Sequence, residues 1–182
     1  LGHHVTGATL GIIGFGRIGQ AMAKRAHFGF DMRIVFFNRS KVDAAIAEHY
    51  SADQLETVED VLAASDFVSL HCPGGAETRH LINAERLKAM RPNGILINTA
   101  RGDVVDEAAL AAALDSGTIA GAGLDVFEAE PKVHPKLVEL TNCVLNPHLG
   151  SATLSTRVKM GKKVVENLIA YFGGHSLPDR LA

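Results

Sequence analysis

The sequence predicts a doubly wound α/β fold, a parallel sheet with helices on both faces, on three observations. Short apolar runs alternate with segments of helical period along the chain, the pattern of parallel strands joined by crossover helices. The first apolar run leads directly into Gly14-Phe15-Gly16-Arg17-Ile18-Gly19, where an amphipathic pattern begins. With 182 residues, 47% of them hydrophobic, the chain is long enough for one well-buried core.

Taken in order, Thr9–Ile13 reads as the first strand. Ile18, Ala21, Met22, Arg25 and Ala26 follow at helical spacing, with Gly29 as the expected terminator. Arg33–Phe37 is a β-rich apolar run of the kind buried on both faces. Lys41–His49 and Thr57–Ala64 read as short helices, the second capped by Thr57. Phe67–His71 is a strand ending at Cys72-Pro73. A helix over Ala84–Met90 stops before Arg91-Pro92, because proline cannot continue it. Gly94–Asn98 is a strand, and Asp106–Ser116 is an alanine-rich helix stopped by Gly117. Ala120–Asp125 and Cys143–Leu145 complete the sheet. Thr153–Phe172 is a long helix ended by Gly173-Gly174. Residues 1–174 are expected to form one domain and 175–182 a C-terminal arm.

Composition excludes several function classes. A charged fraction of 21% and a formal net charge of −2 leave no electrostatic footprint for nucleic acid or an anionic membrane. No apolar run approaches the ~20 residues of a spanning helix, and the N-terminus has no signal-peptide pattern. The two cysteines, Cys72 and Cys143, are too few for a disulfide framework and read as small buried hydrophobes. A cytoplasmic location is the default expectation. No cluster of histidine, cysteine and carboxylates has metal-ligand spacing, so no metal is expected.

The glycine motif carries the first chemistry. Between a strand and a helix, G-x-G-x-x-G is the fingerprint of a Rossmann-type dinucleotide site. Gly14 permits the tight turn, Gly16 lets backbone approach a pyrophosphate, and Gly19 lets helix and strand pack closely. Arg17 and Ile18 lie within the same loop and helix start, whose free N–H groups and partial positive charge suit phosphates. An acidic residue about 20 positions further on would bind the adenosine ribose and repel a 2′-phosphate. Asn38 stands 19 residues past Gly19, followed by Arg39 and Ser40. Asn38 has no repelling charge, Arg39 offers a planar fork for phosphate, and Ser40 offers a hydroxyl. The expectation is NADP(H) preferred, with NAD(H) also accepted.

From Asn98-Thr99-Ala100-Arg101-Gly102 onward the sequence resembles the D-isomer-specific 2-hydroxyacid dehydrogenases. The likeness runs through Leu10–Gly19, Leu70–Asn83, Gly94–Leu110, Ala120–Pro131 and Asn146–Thr153. Asn38-Arg39-Ser40 and the HLGSAT ending look most like the glyoxylate/hydroxypyruvate reductases. The resemblance implies His148 as catalytic acid/base, Glu130 as its carboxylate partner, and Arg101 as the binder of the substrate's carboxylate and carbonyl oxygens. It implies Asp125 near the nicotinamide carboxamide, and Cys72, Pro73, Thr78, Thr99, Ala100, His148 and Gly150 along the cofactor. It also implies a small 2-oxo acid as substrate and a homodimer formed through this domain. On residue type alone, Arg101 is a turn residue, Glu130 a surface charge and Asp125 a strand-end cap.

The chemistry suits those residue types. Reducing a 2-oxo acid needs a hydride from a nicotinamide and a proton for the developing alkoxide. Histidine titrates near neutrality, and a neighbouring carboxylate favours its protonated form. Arginine grips a carboxylate with two prongs. Two departures from the family pattern stand out. Gly74-Gly75 replaces a bulkier pair, and the separate substrate domain that the family carries is absent from this chain. A fragment of this kind is expected to bind cofactor with very low turnover. The alternative function, of another class, is a dinucleotide-sensing protein resembling transcriptional corepressors.

Overall fold

The computed structural model describes residues 2–180. The chain divides into two compact units at Pro147–His148. The first carries a seven-stranded, all-parallel sheet. Its strands are β1 (Thr9–Ile13), β2 (Arg33–Phe37), β3 (Ala52–Gln54), β4 (Phe67–Leu70), β5 (Ile95–Asn98), β6 (Gly121–Leu124) and β7 (Cys143–Leu145). The order is β3-β2-β1-β4-β5-β6-β7. The winding reverses between β1 and β4, and ligands of such sheets bind at that switch point, beyond the strands' carboxyl ends.

Alternation along each strand divides the core in two. Leu10 and Ile12 of β1 join Ile34 and Phe36 of β2 on one face, against Ala23 and Ala26 of α1 (Arg17–Phe30). Ile13, Val35, Val68 and Leu96 face the other way. They pack against α3 (Val58–Ala64), α4 (Ala84–Ala89) and α5 (Glu107–Asp115). The doubly wound class expected from the sequence is therefore present. Phe15 stacks on Phe36 with ring centroids 3.9 Å apart, which fixes the glycine loop over the first core layer.

Helix α3 starts at the cap expected for it, and side chains cap α4 and α5 as well. Thr57 and Asp60 form a reciprocal capping box on α3, and Asn83 accepts the amides of Glu85 and Arg86 at the start of α4. Asp106 caps α5. Several expectations need correction. Gly29 lies inside α1, and the helix ends at Asp31, which takes a left-handed φ of 52°. The helix expected over Lys41–His49 is α2 (Ala44–His49), because Asp43 caps it. Strand β3, a 3-10 turn at Gly102–Val104 and α6 (Pro135–Glu139) were not expected. Cys72 and Cys143 are half-buried at the edge of the core, and burial pushes both thiols up, Cys143 to about 11.

The second unit holds α7 (Leu154–Phe172), capped by Thr153. In the expected arm, Asp179 is tied back to α7 by Asn167 Nδ2 at 2.9 Å and Lys163 Nζ at 3.3 Å. Residues 181 and 182 lie outside the described residues. Among the described residues no helix is long and apolar enough to cross a membrane.

Candidate functional site

Strand β1 delivers the chain into the glycine loop at the switch point. Gly14 has a φ of 94°, and a Cβ there would meet the backbone of His71 and Cys72 at 2.8 Å. Its amide donates to Phe37 O at 2.9 Å, so the loop is pinned between β2 and β4. At Gly19 a Cβ would lie 2.2 Å from Gly14 O, which is the close packing of helix on loop. Gly16 is different. Its φ is −75°, open to any residue, and a Cβ would meet nothing within 4 Å. Nothing in the described protein requires glycine there, whereas a ligand lying against the backbone would.

Gly16 is also the N-cap of α1, and no side chain caps that helix. Its first turn carries no acidic residue. The amides at the helix start are left for an anion, with the helix dipole favouring one. The donor set thus fits a pyrophosphate. Arg17 and Ile18, in that first turn, are exposed.

A cavity of about 580 Å³ opens beside the loop. Of the expected cofactor residues it is lined by Gly14, Gly16, Asn38, Arg39, Ser40, Cys72, Pro73 and Thr78. Gly19 is buried behind the loop, while Thr99 is exposed and Ala100 half-buried beyond β5. Asn38 closes the β2 side. Its Oδ1 accepts the Phe15 amide at 3.1 Å, and its Nδ2 donates to Ser40 O and Oγ at 3.1 and 3.2 Å. The asparagine therefore shapes the turn that presents Arg39 and Ser40.

The β4 side is formed by residues 71–78. Thr78 Oγ1 donates to Pro73 O at 2.6 Å, and the Gly75 amide donates to Asp103 Oδ2 at 3.0 Å. The Gly74-Gly75 pair has a steric reason. A Cβ on Gly74 would meet Asp103 Oδ1 at 2.6 Å, and Gly75 has a φ of 126°. His71 lies against Ser69 Oγ, at 2.9 Å, and burial holds its imidazole below the ordinary histidine range.

Among the other residues of the cavity wall, the titratable His71 and Glu77 were not expected for the site. Glu77 forms an ion pair with Arg39. Spacing could not reveal that pair, because the partners stand 38 positions apart and meet only through the strand order.

Beyond β5, Asn98 is buried and shapes the Arg101 turn. It donates from Nδ2 to Arg101 O at 2.9 Å, and its Oδ1 accepts the Ala100 amide at 3.0 Å. Gly102 lies hard against Phe127, where a Cβ would come within 2.0 Å of backbone atoms. This contact joins the Arg101 turn to the segment bearing Glu130. The Phe127 amide donates to Glu130 Oε1 at 3.0 Å, and the Glu128 amide to the buried Glu107 at 2.6 Å. Arg101 and Glu130 are exposed and Asp125 is buried. His148 and Gly150 belong to the second unit, where His148 is exposed with a left-handed φ of 55°.

A doubly wound parallel sheet, an uncapped glycine-loop helix and a cavity at the switch point define a dinucleotide-binding domain. Residues 1–150 match the family model described as D-isomer specific 2-hydroxyacid dehydrogenase, NAD binding domain. The chain belongs to that family. It is 51% identical over 179 residues to a glyoxylate reductase of Thermococcus litoralis, covering 98% of this chain and 53% of that protein. An NADPH-dependent glyoxylate/hydroxypyruvate reductase of Sinorhizobium meliloti, solved in complex with NADP and malonate, superposes with a TM-score of 0.90 at 41% identity, over 97% of this chain and 53% of that one. The holo form of D-mandelate dehydrogenase from Rhodotorula graminis gives a TM-score of 0.95 at 32% identity, over 99% and 52% respectively. The chain spans about half the length of the curated relatives it matches. These relatives are named as reductases and dehydrogenases, and the sensing alternative finds no support among them.

Proposed function

We propose that the protein is an NAD(P)-dependent reductase of small 2-oxo acids such as glyoxylate or hydroxypyruvate, and that this chain is its cofactor-binding part. The observation that carries the reading is Gly16, an unstrained glycine with open space where a Cβ would stand, at an uncapped helix start. A bound nicotinamide supplies the hydride, and the chain's residues supply charge and protons. Arg101 pairs with the substrate carboxylate and polarises the adjacent carbonyl. His148 donates the proton that the carbonyl oxygen takes up as it becomes a hydroxyl, and Glu130 is the carboxylate we assign to the same reaction. In the oxidative direction the same histidine, neutral, accepts the hydroxyl proton. Thr99, Ala100, Asp125 and Gly150 are proposed to complete the cofactor contacts.

The neutral Asn38 with Arg39-Ser40 supports NADPH over NADH, and the two Glyoxylate/hydroxypyruvate-type relatives described above fit that substrate class. We place residues 1–174 in the cofactor domain, and propose a homodimer acting in the cytoplasm. The test is direct: titrate NADPH and NADH by fluorescence, then assay glyoxylate and hydroxypyruvate reduction. Saturable binding with NADPH the tighter is expected, and Arg39→Ala weakens NADPH selectively. Absence of saturable binding by either dinucleotide overturns the function. Equal weakening of both by Arg39→Ala overturns the preference alone. Sedimentation in solution tests the dimer.

A further inference from the structure

The ion pair across the mouth of the cavity carries a second level of specificity. Strand β1 lies between β2 and β4 in the sheet, so the loops leaving β2 and β4 face each other over the glycine loop. Arg39 follows β2, Glu77 lies in the loop after β4, and both line the same cavity. Arg39 Nη1 is paired with Glu77 Oε2. The partners are presented by constrained backbone. On one side Asn38 is fixed to Phe15 and Ser40, and Gln54 Nε2 donates to Ser40 O at 3.1 Å. On the other, the Thr78 amide donates to Gly75 O at 3.0 Å, and Gly75 is tied to Asp103. The side chains themselves remain 77% and 78% exposed, so the pair is weak enough to exchange for a better anion.

We propose that Glu77 is a specificity-determining residue, which sets the preference between NADPH and NADH by competing with the adenosine 2′-phosphate for Arg39. The proposal rests on the reading of this cavity as the dinucleotide site. With NADH bound, Arg39 keeps its carboxylate partner and the ribose hydroxyls meet no excess charge. With NADPH bound, the phosphate takes the guanidinium fork, and the Glu77 carboxylate is left unpaired beside a dianion. Glu77 therefore penalises NADPH selectively and keeps NADH in use at a site whose arginine alone would favour the phosphorylated cofactor.

The experiment compares wild type, Glu77→Gln, Glu77→Ala, Arg39→Ala and the Arg39→Ala/Glu77→Gln double variant, reading the dissociation constants of NADPH and NADH. Removing the competing charge is expected to tighten NADPH about three- to tenfold, the scale of one exposed pair plus the relieved repulsion, and to leave NADH within about twofold. The gain appears with both Gln and Ala, and it shrinks in the Arg39→Ala background, where only the relieved repulsion remains. A gain with Gln but not Ala reports a new hydrogen bond and overturns the competition. An unchanged NADPH:NADH ratio, or a gain undiminished without Arg39, also overturns it. If wild type binds neither dinucleotide, it is the reading of the site that fails, a different result from an unaltered ratio.

Discussion

Within the glycine loop, fold and ligand make separate demands, residue by residue. Gly14 and Gly19 are required by neighbouring backbone, whereas Gly16 meets nothing within 4 Å of a would-be Cβ. Gly19→Ala should therefore force an overpacked contact and destabilise the protein by about 2–4 kcal/mol, read from denaturant midpoints. Gly16→Val should cost less than about 1 kcal/mol and yet weaken both dinucleotides at least about thirtyfold, because it blocks approach to the phosphate amides. A second residue-scale outcome concerns pH. Burial lowers the pKa of His71 from its ordinary 6.5. The folded protein thus keeps this imidazole neutral while the unfolded chain takes up a proton below pH 6.5. Stability is full above that pH, falls as pH drops through 6.5 towards the lower folded-state pKa, and levels beyond it. Asp66 and Glu59 do not contribute in this window. The Thr9 amide and Arg91 lower Asp66, and Arg86 lowers Glu59, so their contributions are lost only below the ordinary carboxylate range. The melting temperature should fall between pH 7.5 and 5.5, and His71→Gln should flatten that slope.

At the scale of elements, what was legible in the sequence is what local chemistry determines. Strands β1, β2 and β7 keep the bounds read from their apolar runs, and α3, α4 and α5 begin beside the cap residues Thr57, Asn83 and Asp106. Strand β3 was not legible, because three residues reading Ala-Asp-Gln become a strand only by pairing with Ile34–Phe36. Asp31 ends α1 in place of Gly29 because a left-handed aspartate returns its amide to His27 O. For the site, the glycine loop and Asn38–Ser40 were legible through spacing along the chain. Glu77 and Glu107 were not, since each acts on a partner more than 20 positions away. The Phe127–Glu130 segment shows the consequence. It rests on Gly102, and its Glu128 amide is satisfied by a carboxylate that is 6% exposed. Arg79 and His80 grip the Glu128 side chain at 2.9 and 2.7 Å from the outside. Glu107→Ala should leave that amide unsatisfied, costing about 1–3 kcal/mol in chemical denaturation. Glu107→Gln keeps an acceptor and should cost less than about 1 kcal/mol. A cost for Ala no larger than for Gln would show that the buried carboxylate does not hold the segment.

For the molecule as a whole, binding and turnover should come apart. Gly14 and Gly16, the Asn38–Ser40 turn and the residue 71–78 loop line one cavity within the first unit, so the proposed cofactor affinity draws on groups already assembled there. Turnover asks for more. Hydride transfer requires the substrate fixed against the nicotinamide in a site from which water is excluded, and such orientation accounts for several orders of magnitude in rate. Arg101 and Glu130 are both exposed in this chain, and the curated relatives are about twice as long. An arginine that meets the substrate carboxylate in open water contributes little, because solvent screens the charge that should polarise the carbonyl. The 182-residue chain should therefore bind NADPH with an affinity within about tenfold of a full-length relative, and reduce glyoxylate at least about a hundredfold more slowly at saturating cofactor. Fluorescence titration and NADPH oxidation, measured side by side on the chain and on the Thermococcus litoralis glyoxylate reductase, separate the two quantities. Matching turnover would mean that these residues alone enclose the substrate, and the division of labour argued from their exposure would be wrong.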